Sequence, residues 1–192
     1  MQRMLKVLIL FATIAVVSAP ALARADSYIS PFIGTNFGNN SGNGRVNVGA
    51  DVGWMGAGII GAEVDFGYAP SFFGNQGVFG SNSVSDLMGN LIVGIPAGGT
   101  HGVGVRPYAT IGVGLLRSQI NGATSTAGSI SNNEAGMNAG VGVMGFFSNH
   151  LGIRGDVRYL RNLTGNSTPN KLNIDFGAFH FWRASVGIVL RP

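Results

Sequence analysis

The sequence predicts an all-β protein, an eight-stranded antiparallel up-and-down transmembrane β-barrel. Three observations predict it: an export tag at the start, about eight segments alternating apolar and polar residues behind it, and charge and glycine gathered on one face of those segments. Glycine makes up 32 of 192 residues and charged residues only 10%. That composition would suggest low complexity, except that the glycines fall inside regularly patterned apolar runs.

Arg3 and Lys6 give the tag a positive start, and Val7 to Val17 is an apolar run. It is too short for a bilayer, which needs about 20 such residues. Ala23-Arg24-Ala25 fits the small-x-small cleavage rule, so residues 1–25 read as a signal peptide and 26–192 as one barrel domain. Ala21-Leu22-Ala23 is a rival cleavage site; an uncleaved anchor is the competing reading, and Pro20 interrupts the run it would need. Losing Arg3, Lys6 and Arg24 leaves nine basic residues against eight acidic ones. The remaining cations are scattered and form no basic patch, so no nucleic-acid partner is expected. With no cysteine there is no disulfide, no thiolate metal site and no lipoprotein anchor.

The first strand is expected at Tyr28 to Phe37, with Pro31 in its middle leaving its faces ambiguous. The second, Arg45 to Met55, sets Asn47, Gly49, Asp51 and Gly53 against Val48, Ala50, Val52 and Trp54. The third, Ile59 to Tyr68, sets Gly61, Glu63, Asp65 and Gly67 against Ile60, Ala62, Val64, Phe66 and Tyr68. The fourth, Ser85 to Ile95, is ambiguous because Met88 and Ile92 share a face with Asn90. The fifth and sixth are Val105 to Leu116 and Ala135 to Phe147. Pro96 and Pro107 fall near strand ends, where a missing ladder donor is tolerated. The seventh, Leu151 to Leu163, opposes Gly152, Arg154, Asp156 and Arg158 to Leu151, Ile153, Val157 and Tyr159. The eighth, Phe179 to Leu190, opposes Arg183, Ser185 and Gly187 to Trp182, Ala184, Val186 and Ile188. Connections after odd-numbered strands are mostly long and polar (38–44, 69–84, 117–134, 164–178), and the others mostly shorter (56–58, 96–104, 148–150). Long loops alternating with short turns are the asymmetry of a barrel with loops outside the cell and turns in the periplasm.

An Arg facing lipid at the midplane costs about 2–4 kcal/mol, so the face that carries several charges is read as the lumen. A soluble secreted barrel or sandwich alternates as well, with apolar residues inside. About ten glycines fall on the charged face, as a narrow, filled interior requires, and this favours the membrane barrel.

Four stretches carry a family resemblance: Ser30-Pro31-Phe32-Ile33-Gly34-Thr35-Asn36-Phe37, Glu63-Val64-Asp65-Phe66-Gly67-Tyr68, Arg106-Pro107-Tyr108-Ala109-Thr110-Ile111-Gly112-Val113-Gly114 and Gly152-Ile153-Arg154-Gly155-Asp156-Val157-Arg158-Tyr159. With these the chain resembles the small eight-stranded outer-membrane barrels shared by the transmembrane domain of outer-membrane protein A and its single-domain relatives. The resemblance covers essentially the whole mature chain and implies an outer-membrane location reached through the periplasm. Such barrels tend to finish on an aromatic residue read by the barrel-assembly machinery; this chain ends Val189-Leu190-Arg191-Pro192, a departure that bears on insertion efficiency. No second domain for gripping peptidoglycan follows, so a cell-wall tether is not implied.

Eight strands enclose a space about wide enough for side chains, so the lumen is expected to be packed. The candidate lumen ionic network is Asp51, Glu63, Asp65, Arg106, Arg154, Asp156, Arg158 and Arg183, four of each sign, which favours mutual pairing. A structural network is the plain reading; a gate that breaks and remakes pairs to pass small solutes is the sharper one. Trp54, Tyr68, Tyr108, Phe147, Tyr159 and Trp182 are candidate interfacial aromatics. Arg117, Arg161 and Lys171 lie near the long-loop rim, where lipopolysaccharide phosphates would be met, and the long loops would carry any extracellular partner. Lipid A acyl hydrolysis or transfer, a third alternative, needs a nucleophile, a base and an orienting group within reach. His101, His150 and His180 do not offer that spacing, with Ser185 on the other face from His180, nor do they suggest a metal site. No catalytic residue and no cofactor are therefore assigned. Gly140-x-Gly142-x-x-Gly145 matches a dinucleotide fingerprint but lies within a strand with no following helix. The glycosylation patterns at Asn162 and Asn166 mean little in a bacterial barrel.

Overall fold

A computed structural model of the chain describes residues 25–38, 44–73, 82–98, 102–120, 130–163 and 179–192. The expected signal peptide, apart from Ala25, lies outside them, as do His101 and Lys171. The eight strands are β1 (Ala25–Phe37), β2 (Arg45–Gly56), β3 (Ile60–Pro70), β4 (Asn82–Gly94), β5 (Gly104–Ile120), β6 (Ile130–Phe146), β7 (Leu151–Asn162) and β8 (His180–Leu190). Each pairs antiparallel with the next, and β8 returns to β1 to close the barrel. Closure removes the unpaired sheet edge that lipid cannot hydrogen-bond.

Period-two burial runs along the strands with the sense opposite to that of a soluble protein. In β3, Gly61, Glu63, Asp65 and Gly67 are buried, while Ile60, Val64, Phe66 and Tyr68 are exposed. Val52, Leu91, Ile111, Val141, Ile153 and Val186 continue that apolar belt around the outside. The two strands of ambiguous face resolve. In β4, Asp86, Met88, Asn90 and Ile92 all point inward, because apolar residues are needed inside to cap the ionic layer. In β1, Pro31 is exposed between buried Ser30 and Phe32. Its ladder to β8 is interrupted there, passing from Ile29↔Leu190 to Phe32↔Gly187, at the point where a missing N–H cannot donate.

Several strands are longer than the alternation indicates. β4 starts at Asn82, β5 reaches Ile120 and β6 begins at Ile130, so the fifth connection shrinks to 121–129. Polar stretches such as Ser118-Gln119 and Ser131-Asn132-Asn133 continue the ladder, Ser118 against Asn132 and Gln119 against Ser131. Alternation ends where the belt ends, whereas backbone pairing does not. β5 stays paired with β4 as far as Ile120, whereas β6 pairs with β7 only from Gly136 onward, so the start of β6, carried on β5, extends past the end of β7. The tight turn between β2 and β3 has Ala57 at φ 49° and Gly58 at φ 68°, with the Ile59 N–H donating to the Gly56 carbonyl at 3.0 Å. Two positive φ values in succession make this a type I′ hairpin turn, matched to strand twist. A Cβ at Gly58 would also meet the Arg106 guanidinium at 2.7 Å.

Candidate functional site: the sealed lumen

The lumen is stacked in three layers. At the end carrying the long connections, Phe72, Val84, Met88, Leu116, Leu160, Phe179 and Phe181 form one buried apolar cluster. Its rings interlock, with Phe72 and Phe181 centroids 5.0 Å apart in an edge-to-face contact. At the turn end, Tyr28, Met55, Ile92, Tyr108, Met144, Phe146 and Val189 form a second cluster. The ionic layer lies between them.

Arg154 and Arg158 of β7 reach across the barrel to β2 and β3. Arg154 Nη1 donates to Glu63 Oε2 at 2.5 Å and lies 3.2 Å from Asp51 Oδ2. Arg158 Nη2 lies 2.9 Å from Glu63 Oε1 and 3.3 Å from Asp51 Oδ1, with Nη1 3.1 Å from Asp65 Oδ2. Asp156, two residues from each, accepts from Arg154 Nε at 3.0 Å and from Arg158 Nη2 at 3.2 Å. Glu63 also accepts from Tyr28 Oη at 2.6 Å and from Asn90 Nδ2 at 3.3 Å. All these charged groups are at most 2% exposed at their side chains. Such desolvation is costly unless each charge is paired, and the pairing here is not saturated: Arg154 Nη2, Arg158 Nε and Arg183 Nε are buried with no hydrogen-bond partner among the described residues.

Asp86 is a participant that the alternation missed: Arg183 holds it through Nη1 at 3.0 Å while Nη2 holds Asp65. Its strand had no assignable face, so its carboxylate carried no signal. The layer thus sets Asp51, Glu63, Asp65, Asp86 and Asp156 against Arg154, Arg158 and Arg183, and the balance of four and four does not hold within it. Arg106 sits apart at the turn end, where its Nη2 binds Asp26 Oδ2 at 2.8 Å. Arg191, just beyond β8, approaches the same carboxylate at 4.0 Å and lies over the Phe146 ring at 3.2 Å. Burial pulls the Arg191 pKa below the ordinary guanidinium range; Asp26 opposes this and Arg106 adds to it.

Tyr108 requires a correction. It lies inside the barrel, 5% exposed, and its hydroxyl donates to Asp156 Oδ2 at 2.7 Å while accepting from Arg154 Nε at 2.6 Å. Residues two apart share a strand face, so an inward Arg106 already requires an inward Tyr108. Trp54, Tyr68, Phe147 and Trp182 face outward and are at least 40% exposed. Tyr159 is half-buried against Trp182, with centroids 5.1 Å apart. Arg117 and Arg161 are exposed at the long-connection rim. His150 lies at the turn end with Nδ1 3.3 Å from the Arg191 carbonyl, His180 is at the other end beside the Tyr159 ring, and the Ser185 hydroxyl donates to Asp156 at 2.8 Å. Among the described residues no group of His, Asp and Glu could hold a metal ion.

A barrel greasy outside and ionic within matches a known family. The sequence model for the outer membrane protein beta-barrel domain matches residues 9–186. The chain belongs to that family. It is an outer-membrane protein, and similar solved structures share the architecture. Against the N-terminal β-barrel domain of Pseudomonas aeruginosa OprF the TM-score is 0.56 at 18% identity, covering 88% of this chain and 100% of that one. Against the neisserial surface protein NspA it is 0.61 at 12% identity, covering 88% and 97%. Against Yersinia pestis Ail, solved in complex with the heparin analogue sucrose octasulfate, it is 0.58 at 12% identity, covering 88% and 100%. At these identities the likeness is one of fold. No curated protein matches the chain.

Proposed function

We propose that the barrel is a closed scaffold in the outer membrane whose role is structural and surface-interacting, exercised at the long-connection end and not through the lumen. One observation carries this reading: the ionic layer lies between two buried apolar clusters, so an ion following the axis would have to displace Phe72 and Phe181 at one end and Met55, Met144 and Phe146 at the other. Dispersing the charge pairs would not remove those plugs, which weighs against the gated-channel alternative. The start of β6, paired with β5 and extending past the end of β7, supplies a surface for an extracellular partner. Exposed Arg117 and Arg161 suit the phosphates of outer-leaflet lipopolysaccharide. On this reading residues 1–25 are removed on export and the assembly machinery inserts residues 26–192. Nothing in the positions of His150, His180 and Ser185 favours the acyl-chain alternative.

Planar-bilayer recording of the refolded protein tests the proposal. Wild type, Arg154→Ala and Glu63→Ala are each expected to give no conductance steps. Reproducible unitary currents in wild type would replace the closed scaffold by a channel.

A further inference from the structure

At the long-connection end of the lumen, beside the apolar cluster, three inward side chains on β1 and β2 leave polar atoms unused. Asn36 and Asn47 are 1% and 0% exposed, and among the described residues neither the Nδ2 nor the Oδ1 of either has a hydrogen-bond partner. Arg45 Nε is likewise buried and without a hydrogen-bond partner among the described residues. Among the described residues Arg45 forms no ion pair, although its side chain is partly open to solvent. Leaving a buried amide unsatisfied is unfavourable, and two adjacent amides in that state are hard to explain as packing alone.

The strand register brings these groups together. Asn36 lies directly opposite Arg45, and Asn47 lies opposite Gly34, two residues along the same face. Direct and diagonal cross-strand neighbours lie roughly 5–8 Å apart, the span that one small ligand can bridge. Gly34 adds no side chain to that face. The next lumen charge, Arg183, pairs in register with Asn36 and holds Asp65 and Asp86 on its Nη atoms, so among the described residues those two carboxylates are already engaged.

We propose that Asn36, Arg45 and Asn47 form an oxyanion site at the extracellular mouth of the barrel that takes a phosphate group. The guanidinium supplies charge and a planar fork of donors, and each amide offers two further N–H donors. One unused amide carbonyl can accept the single O–H of hydrogen phosphate, or that of a monoester in its singly charged form, whereas sulfate has no O–H to give. The site goes beyond the closed-scaffold reading, since it neither needs nor opens a path through the lumen. The phosphate is either a free ion or a monoester on a larger molecule.

The test is thermal unfolding of the folded, full-length protein in detergent micelles, titrated with inorganic phosphate against chloride at constant ionic strength. Phosphate is expected to raise the unfolding temperature and to do so more than sulfate. Arg45→Gln is expected to weaken binding roughly tenfold to a hundredfold, the loss of a charged hydrogen bond. Asn47→Leu is expected to raise the anion-free unfolding temperature while abolishing the phosphate response, because it removes an unsatisfied amide. Heat-modifiable gel mobility verifies that both variants fold, and Asn47→Gln replaces Asn47→Leu if the latter does not. A second titration with glycerol 1-phosphate separates the sources: tighter binding than inorganic phosphate identifies a presented monoester, weaker binding a free ion. No rise over chloride, or a rise that survives in both Arg45→Gln and the folded Asn47 variant, would overturn the site.

Discussion

Arg183 Nη2 lies 2.7 and 2.6 Å from the two carboxylate oxygens of Asp65, tying β8 to β3 across the seam where β1 closes the sheet. Asp65 sits directly opposite Asp51 in the β2–β3 ladder. Two like charges in that position repel, so Asp65 depends on the arginines that reach it.

Arg183→Ala is expected to destabilise the barrel by about 3–5 kcal/mol, since it strips a guanidinium from a buried ionic layer and leaves Asp86 without that partner. Urea titration of the heat-modifiable folded band measures the loss. A midpoint equal to wild type would mean that the layer is hydrated and not sealed.

Gly67→Ala should also destabilise, by about 1–3 kcal/mol. Its new methyl would sit 2.5 Å from Arg183 Nη1 and from Asp86 Oδ1, wedging into the ion pair. Gly89→Ala is the matched control, because its nearest neighbour would be at 3.8 Å. Its expected change is small in the same urea assay.

Val64→Arg places a guanidinium in the outer belt at mid-strand, where Val64 is 53% exposed. Folding into lipid vesicles is expected to weaken by about 2–4 kcal/mol. An unchanged folding free energy would count against lipid contact on that face.

Trp54 and Trp182, exposed and near opposite ends of the strands, should each be quenched more by lipids brominated near the headgroup than by lipids brominated near the chain ends. Single-tryptophan variants read the two sites separately. Stronger quenching from the bilayer centre would displace them from the interfaces.

Much of this fold is written in the sequence. Strand number follows from the eight alternating segments, and the inward face from Glu63, Asp65, Arg154 and Arg158, because a charge in hydrocarbon is so unfavourable that its position alone orients a strand. The length of β5 and β6 could not be read in the same way. Above the membrane no solvent contrast enforces alternation, and Ser118, Gln119 and Asn132 pair through backbone that any residue carries.

The inner wall shows where local pattern gives out. Alternation separates polar from apolar faces, yet Met88, Ile92, Leu160 and Phe181 are apolar and inward, since the ionic layer has to be sealed above and below. Period-two chemistry, hydrocarbon outside against ions inside, is local to each strand and so is written in the chain. The partner of each charge is not local: Arg154 meets Glu63 and Arg183 meets Asp65 only because closing β8 onto β1 brings opposite walls within a side chain's reach.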